Sequence, residues 1–189
     1  MLHGSINHLS ITVRDLPEAM TFFRPLLEFL GYAVGEIEHD PRSQHDLTVN
    51  IHPENGIAFN VWQAEAPLAN HPFEVYEPGL HHVAFNVERH EQVNAVHDLV
   101  RRLGAEILDG PGEFPFGPGG YYAVYFRGPD RLKFEVVHMP LAEKRAKEQE
   151  AARPKESAAR GVVARRIGLG SANGRAFQGG PAHGPSERR

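Results

Sequence analysis

Two stretches of the chain begin with alternating apolar and polar residues and continue with a helical pattern. Residues 6–13 (INHLSITV) and 80–87 (LHHVAFNV) each place an apolar side chain at every second position, which predicts two half-buried strands. Each is followed by a helical stretch, the first of which starts at Asp15, a preferred N-cap residue. Three β-like segments bounded by turn residues follow each helix. Residues 6–65 and 80–139 are therefore predicted to form two βαβββ modules of an α+β fold.

The same alternation predicts which side chains point away from the helices. Alignment of the two opening strands places His8 on His82. Because successive side chains of a strand lie on opposite faces, Leu9 is expected to pack under the helix and His8 to lie on the other face. His82 is likewise expected to lie opposite Val83. Its neighbour His81 is predicted to point towards the helix layer or its edge, as a hydrogen-bonded histidine at the rim.

The last strand of each module adds a polar residue to these outward faces. Asn60 and Glu135 are 75 positions apart, close to the 74 that separate His8 from His82, so they are predicted to be equivalent. If the two modules share a cleft, His8, His82 and Glu135 converge there with Asn60 nearby. Two imidazoles and a carboxylate provide three ligands for a divalent ion and leave positions for water or substrate. The alternatives are an ion pair between Glu135 and an arginine, and two histidines that are merely polar strand ends.

Composition separates a body from a tail. Residues 1–140 contain 9 Lys and Arg against 19 Asp and Glu, and they hold 11 of the 12 histidines. An acidic body of this kind argues against nucleic acid as the main partner. Residues 141–189 are charged and rich in Gly and Arg, with few large apolar side chains to offset the entropy of ordering. The sequence predicts one domain over 1–140 and a mostly disordered tail.

Several classes of protein are excluded by what the sequence lacks. There are no cysteines, which excludes disulfides, thiolate metal sites and cysteine nucleophiles. No apolar run approaches the roughly 20 residues of a membrane span, and no secretory signal pattern is visible. A cytoplasmic protein without a membrane partner is therefore expected.

The motifs above resemble the vicinal oxygen chelate superfamily, which includes glyoxalase I, extradiol ring-cleaving dioxygenases, and the fosfomycin and bleomycin resistance proteins. The resemblance covers residues 6–139 and rests on the two openings, on DLPEAMTFFRPLLEFLGY and on GPGGYYAVYFRGPDRLKFEVVH. It implies two modules paired around a metal-binding cleft, either within one chain or across a homodimer. It also implies one divalent ion (Fe, Zn, Ni or Mn) held by His8, His82 and Glu135.

The resemblance implies two kinds of enzyme chemistry and, as an alternative, a binding function without catalysis. Asn60 stands where glyoxalase I has an acidic fourth ligand, so the ligand set looks more like that of the extradiol dioxygenases. Those enzymes also use a tyrosine, for which Tyr121, Tyr122 and Tyr125 are candidates, and Tyr122 is assigned with Glu135 to the catalytic set. The expected function is a metal-dependent lyase, isomerase or ring-cleaving dioxygenase that acts on a small oxygen-chelating molecule. The alternative is a metal-free protein of the bleomycin-resistance type that sequesters a small molecule.

Aromatic residues near these positions are predicted to contact the substrate. Residues 109–122 form a Gly- and Pro-rich stretch that is interpreted as a substrate-covering loop or as an ordinary long connection. Trp62 shares the face of Asn60 and either lines the cleft or caps the end of the barrel. The predicted substrate contacts are Asn60, Trp62, Phe116 and Tyr121.

Overall fold

A computed structural model of the protein describes residues 3–71, 73–116 and 120–140. The tail that the sequence predicts to be disordered, residues 141–189, lies outside these residues. In the described part, no helix is both long and apolar enough to cross a membrane.

The first module contains one helix and a five-stranded sheet. Its elements are β1 (His8–Val13), α1 (Leu16–Phe29), β2 (Ala33–Val34), β3 (Glu38–Asp40), β4 (His45–Ile51) and β5 (Ala58–Gln63). The strand order is β1-β5-β4-β2, and β3 also pairs with β4. The first and last strands, β1 and β5, run parallel, whereas β4 is antiparallel to its neighbours.

The second module repeats this arrangement with four strands. Its elements are β6 (Val83–Asn86), α2 (His90–Arg102), β7 (Glu106–Glu113), β8 (Tyr122–Arg127) and β9 (Lys133–His138), with a 3₁₀ turn at Pro129–Arg131. The strand order is β6-β9-β8-β7, and β6 and β9 run parallel. The predicted α+β fold with two βαβββ modules is therefore confirmed.

The first module has one strand more than predicted, because the chain after α1 forms two short strands. Between them, a Cβ on Gly35 would lie only 2.6 Å from the carbonyl oxygen of Val49 on β4. The Gly35 N–H donates to the side chain of Asn50 at 3.3 Å instead of to a backbone carbonyl. This close approach interrupts the ladder with β4, and pairing resumes at β3.

The helix α1 starts as predicted but passes its proline without a break. Asp15 caps the helix by accepting a hydrogen bond from the Glu18 N–H at 2.9 Å. A proline inside a helix is expected to kink or split it, yet α1 runs as one element through Pro25. The helix packs against the core through buried residues on both sides of the proline, among them Phe23 and Leu26.

The two modules share one hydrophobic core. The Phe23 ring of α1 lies 5.9 Å from the Phe59 ring of β5 and 5.6 Å from the Phe134 ring of β9, measured between centroids. The rings of Phe59 and Phe85, on β5 and β6, are 5.6 Å apart. Each sheet therefore turns its helix-packed face towards this core.

The other side of the first sheet, which we call its open face, has little cover among the described residues. Its exposed members are His8, Ser10, Thr12, Val49 and Ile51. The large apolar side chains of Val49 and Ile51 are 41% and 46% exposed. The predicted alternation of β1 is thus observed, because Ile11 and Val13 are buried in the core.

Gly110 in β7 is a position where a side chain would disrupt the sheet. Its φ is +78°, and a Cβ there would overlap the carbonyl oxygen of Ala123 on β8. We expect Gly110→Ala to lower the free energy of unfolding by about 2–4 kcal/mol, because both the backbone and the neighbouring strand must adjust. Denaturant unfolding followed by circular dichroism measures this change.

Gly112→Ala is the matched control, because a Cβ on Gly112 would meet nothing within 4 Å. We expect its free energy of unfolding to change by less than about 0.5 kcal/mol. Equal destabilisation by the two substitutions would contradict the account of Gly110.

Candidate metal and substrate site

The second sheet brings His82 and Glu135 together. Glu135 lies in the middle of β9, where it pairs with Ala84 on β6 and Tyr125 on β8. His82 directly precedes β6 and lies on the side of the sheet that carries Glu135. Its Nε2 atom lies 3.1 Å from Oε2 of Glu135. Both residues were predicted as metal ligands, and this distance is close to the roughly 3 Å between neighbouring ligands of one small divalent ion.

The Glu135 carboxylate is buried, with a relative exposure of 1%. Besides His82, it accepts a short hydrogen bond from the hydroxyl of Tyr121. Among the described residues, no Lys or Arg forms an ion pair with it, so the alternative of an arginine partner is not realised there. A buried carboxylate costs several kcal/mol unless a cation or several donors compensate it. Hydrogen bonds from the neighbouring tyrosines and the contact with His82 compensate the charge of Glu135 in this chain, and a cation would compensate it further.

Two tyrosines beside Glu135 are held in the neutral form. Burial raises the pKa of Tyr121, and its hydrogen bond to Glu135 raises that pKa further. Burial also raises the pKa of Tyr125, and hydrogen bonding to Tyr121 and Glu135 adds to the effect. Both phenols, which are protonated at neutral pH in any case, therefore remain hydrogen-bond donors to a higher pH than an ordinary tyrosine.

Tyr122 lies on the other face of β8, away from Glu135. Its hydroxyl donates to Oδ1 of Asn94 on α2 at 2.9 Å, and its ring stacks on His90 with centroids 4.3 Å apart. Tyr122 was predicted to be catalytic together with Glu135, but the hydroxyl that reaches Glu135 is that of Tyr121. Neighbouring residues at the start of a strand point to opposite faces, so only one of the two tyrosines can reach the carboxylate.

His81 lies beside His82 and not in the helix layer. The Nδ1 atoms of the two rings are 2.6 Å apart, and the His81 ring also packs against Tyr76 with centroids 5.6 Å apart. Both histidines line the same cavity. Both histidines precede β6, which begins at Val83, and the alternation expected of a strand does not separate them.

This cavity, which we call the aromatic cavity, has a volume of about 690 Å³. Its aromatic wall consists of Tyr76, Phe114, Phe116, Tyr121 and Tyr125. The rings of Phe114 and Phe116 stack with centroids 5.9 Å apart, and Phe116 remains 51% exposed. A cavity of this size with a few polar groups at its base suits a small molecule.

The segment that carries these phenylalanines is only partly a loop. The strand β7 extends through Glu113, so the predicted covering loop of residues 109–122 is shorter than expected. Residues 117–119 lie outside the described part. Of the four predicted substrate contacts, Phe116 and Tyr121 line the aromatic cavity.

The remaining predicted site residues lie in the first sheet. His8 is exposed on β1, with Nδ1 2.9 Å from Oδ1 of Asn7. The Asn60 amide donates to Oγ of Ser10 at 3.3 Å, while its buried Oδ1 atom has no hydrogen-bond partner among the described residues. Trp62 is half-buried on β5. None of the three lines the aromatic cavity.

The donors in one chain fit a divalent ion only in part. An imidazole nitrogen and a carboxylate oxygen are suitable ligands, and His82 and Glu135 supply them at ligand spacing. However, within residues 3–71, 73–116 and 120–140, no group of three His, Asp or Glu side chains is placed to hold a metal ion. A third protein ligand would have to come from elsewhere.

Comparison with known proteins agrees with this architecture. Residues 5–136 match the Glyoxalase/Bleomycin resistance protein/Dioxygenase superfamily. The chain is 28% identical over 140 residues to the uncharacterized protein YqjT of Bacillus subtilis (strain 168), a match that covers 70% of this chain and 97% of YqjT. A candidate glyoxalase of known structure from Bacillus halodurans is 28% identical, with a TM-score of 0.57 over 72% of this chain and 97% of that chain.

The fold is also similar to that of a fosfomycin resistance protein. A mutant form of FosX from Listeria monocytogenes, solved with Mn(II) and 1S,2S-dihydroxypropylphosphonic acid, has a TM-score of 0.51 at 18% identity. This similarity covers 76% of the present chain and 98% of the FosX chain. On the match of residues 5–136, the chain belongs to the glyoxalase, bleomycin resistance protein and dioxygenase superfamily.

Proposed function

We propose that the protein is a metal-dependent enzyme that acts on a small molecule through two adjacent oxygen atoms of that molecule. The observation that carries the proposal is the buried Glu135 carboxylate beside His82, at the base of the aromatic cavity. No Lys or Arg in the described residues offsets its charge. A divalent ion would do so and would also give the cavity a reactive centre.

We infer that the third ligand is His8 of a partner subunit. In one chain the two sheets pack their helix-covered faces together, so the open face with His8 is turned away from the second module. That open face also exposes Val49 and Ile51, which an interface would cover. In a twofold dimer, the open face of each copy would cover the aromatic cavity of the other and bring one imidazole to each site.

Each part of the site has a role in this proposal. A bound ion would polarise the two substrate oxygens. The neutral Tyr121 hydroxyl donates to Glu135 and thereby orients the carboxylate. The aromatic wall binds the body of the substrate and excludes water from it. Glyoxalase-like lyase or isomerase chemistry and ring-cleaving dioxygenation both meet these conditions. The identity of the bound metal distinguishes the two reactions, because iron favours the dioxygenase and nickel or zinc favours the lyase.

The metal content of the purified protein tests this proposal. We expect about one divalent ion per chain in protein purified without added metal. His82→Ala should weaken metal binding by more than the roughly 10- to 100-fold that loss of an outer-shell partner costs. Inductively coupled plasma mass spectrometry measures the content, and calorimetric titration with Zn²⁺ or Mn²⁺ measures the affinity.

His97→Ala is the control, because His97 lies on α2 and does not line the aromatic cavity. Its metal content should equal that of the unaltered protein. The contrary result is that the unaltered protein carries no ion and that His82→Ala binds small molecules as well as the unaltered protein does. That result would show that the protein is a metal-free protein that sequesters a small molecule.

A further inference from the structure

We propose that the substrate is a flat anion whose negative group, a carboxylate or a phosphonate, binds Lys133 at one end of the aromatic cavity. The inference rests on the proposed function, because it assigns the substrate class of the same site. It depends on the charges that line the cavity and on the shape of the aromatic wall.

Lys133 is a cation in the cavity without an acidic partner. It lies on β9 and lines the aromatic cavity. Its Nζ atom is 5.1 Å from the centroid of the Tyr125 ring. Within the described residues, Lys133 forms no ion pair. Its charge is therefore available to a ligand.

The second cation of the cavity, Arg127, is already neutralised. Both oxygens of the Glu106 carboxylate accept hydrogen bonds from its Nη1 group, at 3.0 and 2.9 Å. Arg127 also lies directly opposite Lys133 on the neighbouring strand. The anion is therefore expected at Lys133.

The acidic residues of the cavity lie in the adjacent row of the sheet. Asp109 on β7 is opposite Tyr125, which is opposite Glu135 on β9. A negative group placed on this row would be repelled by two carboxylates unless it bound the ion. Lys133 and Glu135 are two positions apart on one strand, which separates their Cα atoms by about 6.6 Å. The anionic group of the substrate should lie at a similar distance from its chelating oxygens.

The aromatic wall favours a substrate whose central part, between the group bound by Lys133 and the oxygens near Glu135, is flat. The Phe114 ring is nearly perpendicular to the Tyr125 ring, with centroids 5.2 Å apart, and Phe116 is perpendicular to Tyr121 at 5.4 Å. Phe116 and Tyr76 keep most of their surface exposed, so a ligand could cover both rings. Rings arranged in this way provide stacking and edge contacts to an unsaturated molecule.

Two probes that differ only in charge test the inference. In 3,4-dihydroxybenzoate, vicinal hydroxyls can bind the ion while a carboxylate extends from the opposite side of the ring. The amide 3,4-dihydroxybenzamide has nearly the same shape without the charge. Binding of both is measured by calorimetry on the full chain loaded with Zn²⁺, which is redox-inert and does not turn the probes over.

We expect the benzoate to bind more tightly than the benzamide. Lys133→Gln should weaken benzoate binding by roughly 10- to 100-fold, the usual value of a hydrogen bond to a charged group. The same variant should change benzamide binding by less than about threefold. Lys133→Arg should retain most of the preference for the benzoate. Arg127→Gln, the matched control, should leave the preference nearly unchanged because Glu106 already neutralises Arg127.

The inference is overturned if the unaltered protein binds both probes equally, or if Lys133→Gln weakens both to the same extent. It is also overturned if Arg127→Gln removes the preference as fully as Lys133→Gln does. Failure of the metal proposal gives a different result: His82→Ala would then leave the metal content unchanged. Even in protein without metal, loss of the benzoate preference in Lys133→Gln would support the anion site.

Discussion

A mixture of His8→Ala and Glu135→Gln chains is expected to bind metal although neither variant binds it alone. His8 lies in the first sheet and the pair of His82 and Glu135 in the second, so each proposed site combines residues of two copies. In a mixed dimer, one site receives His8 from the Glu135→Gln copy and both other ligands from the His8→Ala copy. With random exchange of subunits, about a quarter of the original sites should be restored.

The experiment requires subunit exchange, for example by joint expression with two affinity tags, followed by metal analysis and sedimentation to determine the oligomeric state. A mixture of His82→Ala and Glu135→Gln is the matched control. Both of its substitutions fall in the same half of the site, so no mixed dimer contains an intact site. Recovery of metal in that control, or full metal binding by His8→Ala alone, would contradict a site shared between subunits.

Phe23→Ala is expected to lower the free energy of unfolding by about 3–5 kcal/mol, a large part of the stability of a domain of this size. The Phe23 ring contacts Phe59 in the first module and Phe134 in the second. Its removal leaves a cavity where the two modules meet. Because Phe134 is next to Glu135 on β9, metal affinity should fall as well. Guanidinium unfolding followed by circular dichroism measures the stability.

Phe29→Ala is the control for this substitution. Phe29 lies on the same helix but is 42% exposed, so its truncation should cost less than about 1 kcal/mol. A similar loss for both variants would show that the effect comes from the helix itself and not from the contact between modules.

The faces of the two opening strands could be predicted from alternation alone. One side of each sheet packs on the core and the other does not, so the period of two separates Val13 and Phe85, which are buried, from His8, which is exposed. The internal repeat then located Glu135 on the face of His82. The first inference uses only the local geometry of a strand, and the second adds the spacing of the repeat.

Tyr122 was predicted from the family resemblance, and strand alternation distinguishes it from Tyr121. Val124 and Phe126 share the parity of Tyr122, and both are fully buried in the core. This apolar run indicates that Tyr122 belongs to the helix-packed face. Tyr121 shares the parity of Tyr125, which pairs directly with Glu135. The sequence alone shows which face each tyrosine occupies. The register between β8 and β9 is needed to show that the face of Tyr121 is the one that carries Glu135.

The packing of one module on the other could not be predicted in this way. Alternation distinguishes the two faces of a sheet but does not say which sheet a face will meet. That choice depends on rings far apart in the chain, such as Phe23 and Phe134, whose contact becomes visible only in three dimensions. The placement of His8 relative to His82 follows from this packing. The same packing therefore decides whether one subunit or two supply the ligands of the proposed metal site.

Parallel pairing within each module has a consequence for synthesis on the ribosome. The strands β1 and β5 are separated by about 50 residues of chain, as are β6 and β9. Such distant pairing is slow to form, because a long loop must close before any contact is gained. The nascent chain therefore completes its first sheet only after β5 emerges. The second sheet waits for the strand that carries Glu135, so the candidate active centre is among the last parts of the described fold to take shape.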